Sequence, residues 1–261
     1  MQAINTDVVL SAVITTILMV FILLVVQRKL RLSGKIFFLT LVAALPLSYI
    51  INQIKIPILN NLFTSKVTSN SLTLVDGLLW VFIVGFTEEL IKFILFILII
   101  QTLNHYSLKN YKNTVVVAYC TGIGFGIGEI WYLVSLLLYY SVPDANLIAW
   151  LGGFGFERFF VTFGHAAMFM VIIYGYRKND VWTGIYLLAA MIIHALYDLP
   201  IILASIKIIS SLELALIIFI EIIASFIISF ILLYLLIEYS ENDSRKGQKE
   251  ALLQRARKSF E

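Results

Sequence analysis

The stretch FTEELIKFILF, residues 86–96, sets Glu88, Glu89 and Lys92 inside a run with almost nothing else polar in it. Its reading decides the fold. If the run crosses a bilayer, each charge near the helix centre costs roughly 2.5–3.5 kcal/mol on insertion scales, so the three must have partners or a task. If the run is soluble, the charges are ordinary and the surrounding apolar surface is the anomaly.

Composition chooses between these. The 261-residue chain is 61% hydrophobic and 13% charged, with a mean hydropathy of +0.95. A soluble core cannot hide that much apolar surface, so the chain is a polytopic membrane protein. A closed barrel would show short alternating strands between turns. Here the apolar runs are long and continuous, which predicts helices. The expected fold is all-α, a bundle of about seven transmembrane helices at 7–27, 36–53, 72–101, 114–140, 151–176, 181–204 and 213–237. Residues 1–240 form one membrane domain, and 241–261 form a basic cytoplasmic tail. Residues 72–101 are longer than a hydrocarbon core of about 30 Å requires, so that helix either tilts or breaks near Gly85. The first run has its basic residues after it and no small-residue cleavage site, and reads as a retained helix. Cys120 is the one cysteine, so no intramolecular disulfide forms.

The distribution of charge sets an orientation. Arg28, Lys29, Arg31 and Lys35 follow the first span, Lys109 and Lys112 the third, Arg177 and Lys178 the fifth, and six further basic residues lie in the tail. The alternate loops hold only Lys55, Lys66 and Lys207. The positive-inside rule then places the N-terminus outside and the C-terminus in the cytoplasm. No internal repeat, soluble domain or nucleic-acid motif is present, so the expected partners are the lipid bilayer and a membrane protein or peptide.

Nine ionisable residues fall well inside the predicted spans: Glu88, Glu89, Lys92, Glu129, Glu157, Arg158, His165, His194 and Asp198. Glu88 and Lys92 are i, i+4 and share a helix face, as do His194 and Asp198. Arg158 and His165 lie two turns apart on one face. Glu129 ends the run GIGFGIGE, residues 122–129, whose glycines allow close helix approach. Ionisable groups in lipid face the bundle interior and pair, so one shared pocket near mid-membrane is expected. With every acid ionised and both histidines neutral that pocket sums to −3. Raised carboxyl pKa values, charged histidines or a bound dication would relieve it.

Two chemistries suit these residue types. Two histidines and a carboxylate make a three-ligand set for catalytic zinc, with the fourth position left for water; His165, His194 and Glu129 are the candidates. A nearby carboxylate would act as general base on that water. Without metal, a glutamate held by Lys92 and a histidine would activate water directly. There is no HExxH, GxSxG or selectivity-filter pattern. Asp76, Glu213, Glu221 and Glu238 lie towards span ends or alone and read as interfacial or structural. His105 reads as a solvated loop residue, and the four tryptophans as belt or packing residues.

The ordered motifs resemble a known group. Glu88-Glu89-x-x-Lys92 resembles EExxK, Phe125-x-x-x-Glu129 resembles FxxxE, and His194-x-x-x-Asp198 resembles HxxxD. Glu157-Arg158 followed by His165 resembles the ER…H element between the second and third motifs. In this order the set resembles the PrsW and YhfC intramembrane proteases of the CPBP (Abi, CAAX protease-like) superfamily, over about residues 80–200. The GFGIGE element and the ER…H spacing lean towards YhfC. The prenyl endopeptidase branch has FxxxH where this chain has Glu129, which argues against prenylated substrates. The resemblance implies peptide-bond hydrolysis within a bacterial-type cell membrane, as a metallo- or glutamic-type enzyme. Glu88 and Glu89 would activate water, and the histidines would serve as ligands or oxyanion stabilisers. Glu129 and Asp198 would complete the catalytic set, with Lys92, Glu157 and Arg158 in support.

Three rival functions stand against this reading. A proton-coupled transporter also carries intramembrane acids and histidines, but it would show inverted repeats, and the sequence has no such self-similarity. A non-catalytic family member would bind partners in the membrane with the same pocket. A retinal protein would need a lysine in the last span, and 213–237 has none.

Overall fold

The computed structural model describes residues 6–30, 34–69, 71–103, 111–139, 155–176, 178 and 180–258. Among these residues there are eight helices and no strand. They are α1 (Thr6–Leu30), α2 (Gly34–Ala44), α3 (Leu47–Thr68), α4 (Leu74–Leu103), α5 (Tyr111–Tyr139), α6 (Gly155–Tyr176), α7 (Asp180–Ser205) and α8 (Ser211–Lys258). Six candidate spans are long and apolar enough to cross a membrane, with α2 and α3 counted together as Phe37–Val67. The 30-residue α4 has the length as well, but carries four charged residues. The chain is an all-helical, multi-pass membrane protein.

The second predicted span needs the largest correction. The sequence ends it at residue 53 and puts Lys55 and Lys66 in a loop. Instead the chain breaks at Leu45–Pro46 and then continues as helix to Thr68. Pro46 stands at the N-cap of α3, where its missing N–H and its ring end the helix before it. Pro57 lies inside α3 without ending it. Lys55 is therefore a helix residue inside the bundle. Moving Lys55 and Lys66 out of the loops leaves the charge asymmetry in the same direction.

No break occurs at Gly85, and α4 is continuous. A Cβ there would sit 2.6 Å from the Met191 carbonyl oxygen of α7. The glycine serves close packing of α4 on α7, which brings Glu88 and Glu89 near His194. The predicted last span, 213–237, is part of a helix that runs on to Lys258, across the expected tail boundary at 240. Residues 151–154 of the fifth predicted span, His105, Lys109 and Arg177 lie outside the described residues.

Helix α5 forms the centre, and every residue from Thr114 to Gly128 is buried. Its glycines work as two pairs on different faces. Gly122 and Gly126 meet α6, where an added Cβ would lie 2.5 Å from Ala166 Cα and 2.6 Å from Thr162 Cγ2. Gly124 and Gly128 meet the α2–α3 break, at 2.8 Å from Ala44 Cβ and 2.0 Å from the Leu45 oxygen. This double contact holds Glu129 against α6. Overpacking a tight interface costs about 1–3 kcal/mol. Gly122→Ala is therefore expected to lower the thermal unfolding midpoint in detergent. Gly184→Ala, with nothing within 4 Å, is expected to leave it unchanged or slightly higher.

Two capping boxes explain acids that the sequence read as structural. Thr73 and Asp76 exchange hydrogen bonds at the start of α4: the Asp76 backbone N–H donates to Thr73 Oγ1 at 3.2 Å, and the Thr73 backbone N–H donates to Asp76 Oδ2 at 3.1 Å. Ser210 and Glu213 do the same at the start of α8. Lys66 also bonds Asp76, at 2.5 Å, and so joins the end of α3 to the start of α4. Phe163 of α6 stacks with Phe226 and Phe230 of α8, at centroid distances of 5.0 and 5.4 Å, and closes the bundle on that side.

Candidate active site

The nine intramembrane ionisable residues converge, as one continuous network contributed by α4, α5, α6 and α7. A tenth, Lys55, joins from α3. Lys92 has no exposed surface and donates to Glu89 Oε1 at 2.5 Å. Its ammonium also lies 3.2 Å from His165 Nδ1 and 4.3 Å from the centre of the Phe125 ring. Glu89 Oε1 is shared, because His194 Nδ1 lies 2.7 Å from it. Glu89 and Lys92 are thus a sealed pair that ties α4 to both histidines.

Glu88 occupies a different setting. It turns from Glu89 by about 100° along the helix and lines a cavity of about 130 Å³. Lys55 of α3 donates to Glu88 Oε1 at 2.5 Å. The other oxygen, Oε2, is buried without a hydrogen-bond partner. It lies 3.5 Å from His194 Nε2, and Asp198 Oδ2 lies 3.7 Å from the same nitrogen. The expected Glu88–Lys92 pairing is replaced by Glu89–Lys92 (i, i+3), because Glu88 faces the cavity and takes its cation from α3. Lys55 also supplies one positive charge that the sequence count of the pocket lacked.

Hydrogen bonding assigns the histidine tautomers. A carboxylate only accepts, so His194 Nδ1 donates to Glu89. Its Nε2 faces two carboxylate oxygens, those of Glu88 and Asp198. An ammonium only donates, so His165 accepts at Nδ1 and donates from Nε2 to Glu129 Oε2 at 3.1 Å. Arg158 approaches the same Glu129 oxygen at 3.2 Å and also forms two bonds to Glu157. Glu129 and Glu157 are held from one guanidinium.

Donor atoms of Glu88, His165 and His194 lie within 4.8 Å of one another, and all three residues are buried. The sequence expected Glu129 as the carboxylate beside the two histidines; the clustering instead takes Glu88, while Glu129 is committed to Arg158. The group suits a divalent metal chemically. Two imidazoles and a carboxylate are a zinc donor set. Glu88 Oε2, a buried acceptor without a partner, calls for a cation. The bond from His194 Nδ1 to Glu89 is the support that metal-ligating histidines usually have. For His165 to join through Nε2 it must give up the Nε2 proton now directed at Glu129.

The sequence did not find Lys55, because its helix seemed to end before it. It also read Glu221 as structural, whereas Glu221 of α8 lines the cavity with Tyr197 and Asp198. The Tyr197 hydroxyl donates to the Glu221 backbone oxygen at 2.9 Å, which links α7 to α8 at the cavity edge.

Over residues 28–231 the chain matches the model of a family described as PrsW family intramembrane metalloprotease. Every site residue named above falls within the match. No curated protein and no solved structure matches the chain.

Proposed function

The chain belongs to the PrsW family of intramembrane metalloproteases, and from that premise we propose that it hydrolyses peptide bonds of membrane-associated substrates at the cavity beside Glu88. Membership supports a hydrolase acting at a lipid bilayer. The observation that carries the finer reading is the buried Glu88 Oε2, without a hydrogen-bond partner, beside His194 Nε2 at a polar cavity. A purely binding member has no need of a carboxylate oxygen left unpaired at one small volume.

Each part of the site has a task in this reading. Lys92 and Glu89 fix the tautomer and direction of His194 and hold His165 from behind. Arg158 holds Glu129 in place against His165. Glu88, His165 and His194 would hold a divalent metal, zinc by donor type, which when bound supplies Lewis acidity and a more acidic water. Glu88 Oε2 receives the proton of an attacking water when that oxygen is free. Were Glu88 to hold the metal, Asp198, which stands on the same cavity wall and shares His194 as its neighbour, would be the carboxylate placed to take that proton. The loop charges favour an outside N-terminus, a cytoplasmic basic tail and a site open towards the outer half of a cell membrane of bacterial type.

Purified protein separates the two routes. Metal analysis is expected to find a stoichiometric divalent ion that is lost in His194→Ala. Asp198→Asn is expected to keep the ion and lose about 10²–10⁴ in kcat on membrane peptides. Full activity in a metal-free preparation would reject the metal route, and full activity of Asp198→Asn would reject its role as base.

A further inference from the structure

Lys55 lies outside the motifs that resemble the family, and nothing above gives it a role beyond balancing charge. Its setting differs from that of Lys92, the other lysine of the site. Lys92 is sealed, with no side-chain exposure, and touches only groups of the protein interior. Lys55 is 13% exposed and lines the cavity. An ammonium has three donors, and its recorded hydrogen bond, to Glu88 Oε1, uses one of them. Lys55 therefore stands at the cavity surface with donors to spare, beside the carboxylate whose other oxygen has no partner.

That position fits a specific need of peptide hydrolysis. Attack of water on the carbonyl carbon puts a negative charge on the carbonyl oxygen, and a preorganised donor in a site shielded from bulk water stabilises that charge strongly. The reacting carbon must lie about 3 Å from both the nucleophile and the oxyanion donors. One carboxylate, Glu88, touches Lys55 through Oε1 and presents Oε2 to the cavity, so a donor and a base stand side by side. The other cavity cation, Arg158, is committed to Glu129 and Glu157.

We propose that Lys55 is a catalytic residue whose ammonium binds the carbonyl oxygen of the scissile peptide and stabilises the tetrahedral oxyanion. This rests on the proteolytic reading of the same site. The water oxygen bonds to the carbonyl carbon, its proton passes to a cavity carboxylate, and the carbonyl π pair moves onto the oxygen held by Lys55. Collapse reforms C=O, breaks C–N and returns the proton from the carboxylate to the leaving amine. Lys55 stays charged throughout and acts only as a donor.

The test compares Lys55→Met, Lys55→Gln and Lys55→Arg with wild type and with Glu88→Gln, on a membrane peptide and on a phosphinate analogue that mimics the tetrahedral anion. Lys55→Met is expected to lose about 10²–10³ in kcat with KM within about threefold. It should weaken phosphinate binding by a similar factor and leave substrate affinity unchanged. Lys55→Arg, which keeps charge and donors, should recover part of the loss. If Lys55→Met does not fold, Lys55→Gln decides on the same criteria. An inactive Glu88→Gln beside a Lys55 variant with normal kcat and normal phosphinate affinity overturns the proposal and leaves the proteolytic reading standing. A change in KM alone overturns it as well. Normal cleavage by Glu88→Gln overturns the proteolytic reading itself.

Discussion

Glu88→Gln is expected to reduce kcat on a membrane peptide by about 10²–10⁴, the range that a positioned proton acceptor contributes, and to weaken metal retention where Glu88 serves as a ligand, while the thermal unfolding midpoint changes little. The amide is nearly isosteric and still accepts from Lys55 through its oxygen, but it cannot take a proton at the cavity side. Glu89→Gln should behave differently. Glu89 Oε1 receives both Lys92 and His194, so an amide there still accepts but leaves a fully buried ammonium without its counter-charge and holds the imidazole less firmly. Activity and midpoint should fall together. The two neighbouring acids are thereby separable: one carries chemistry with little effect on stability, and the other carries both. An equal, purely kinetic loss in both variants would contradict the assignment of Glu88 to the cavity and Glu89 to the interior.

The largest expected stability effect is at Lys92. Removing one partner of a buried ion pair leaves an uncompensated charge and costs about 3–5 kcal/mol. Lys92→Met should therefore lower the unfolding midpoint markedly, and Glu89, left with His194 and without its counter-charge, becomes the stranded group. Replacing both members by apolar residues of similar volume is often neutral, so Glu89→Leu combined with Lys92→Met should recover much of the stability without recovering activity. Lys66→Met is the useful control. Lys66 also bonds an acid, Asp76, but its side chain is 45% exposed, and exposed pairs contribute little. Thermal scans of the four proteins in one detergent check the set, and a Lys92→Met midpoint equal to wild type would show that the pair is not structural.

Much of this was legible in the chain because lipid makes polar residues conspicuous. Glu88, Glu89, Glu129, His165, His194 and Asp198 stand out from apolar helices, and their spacing places them at similar depth. The glycines of GIGFGIGE announced a close helix contact, although not that alternate pairs would serve two different neighbours. Three things were hidden. Lys55 sits near Asn52, Gln53 and Pro57, a mixture that resembles the end of a span, and only the packing of α3 on α4 and α5 shows that the helix continues. The choice between Glu88 and Glu89 as partner of Lys92 depends on rotation about α4. Spacings of i, i+3 and i, i+4 are both allowed, and the approach of Lys55 from another helix decides. Glu221 looked isolated because the residues it joins at the cavity come from α7, more than twenty positions earlier. Each miss concerns a contact between helices, which a pattern within one helix does not encode.

The central claim is that this bundle cuts a peptide bond with water inside the membrane. The direct measurement is mass spectrometry of a single-span peptide incubated with proteoliposomes of the protein in ¹⁸O-water. The expected result is cleavage within the apolar segment, with one ¹⁸O in the new C-terminal carboxylate, present with wild type and absent with Glu88→Gln. An intact peptide with wild type, or the same labelled products with Glu88→Gln, would contradict it.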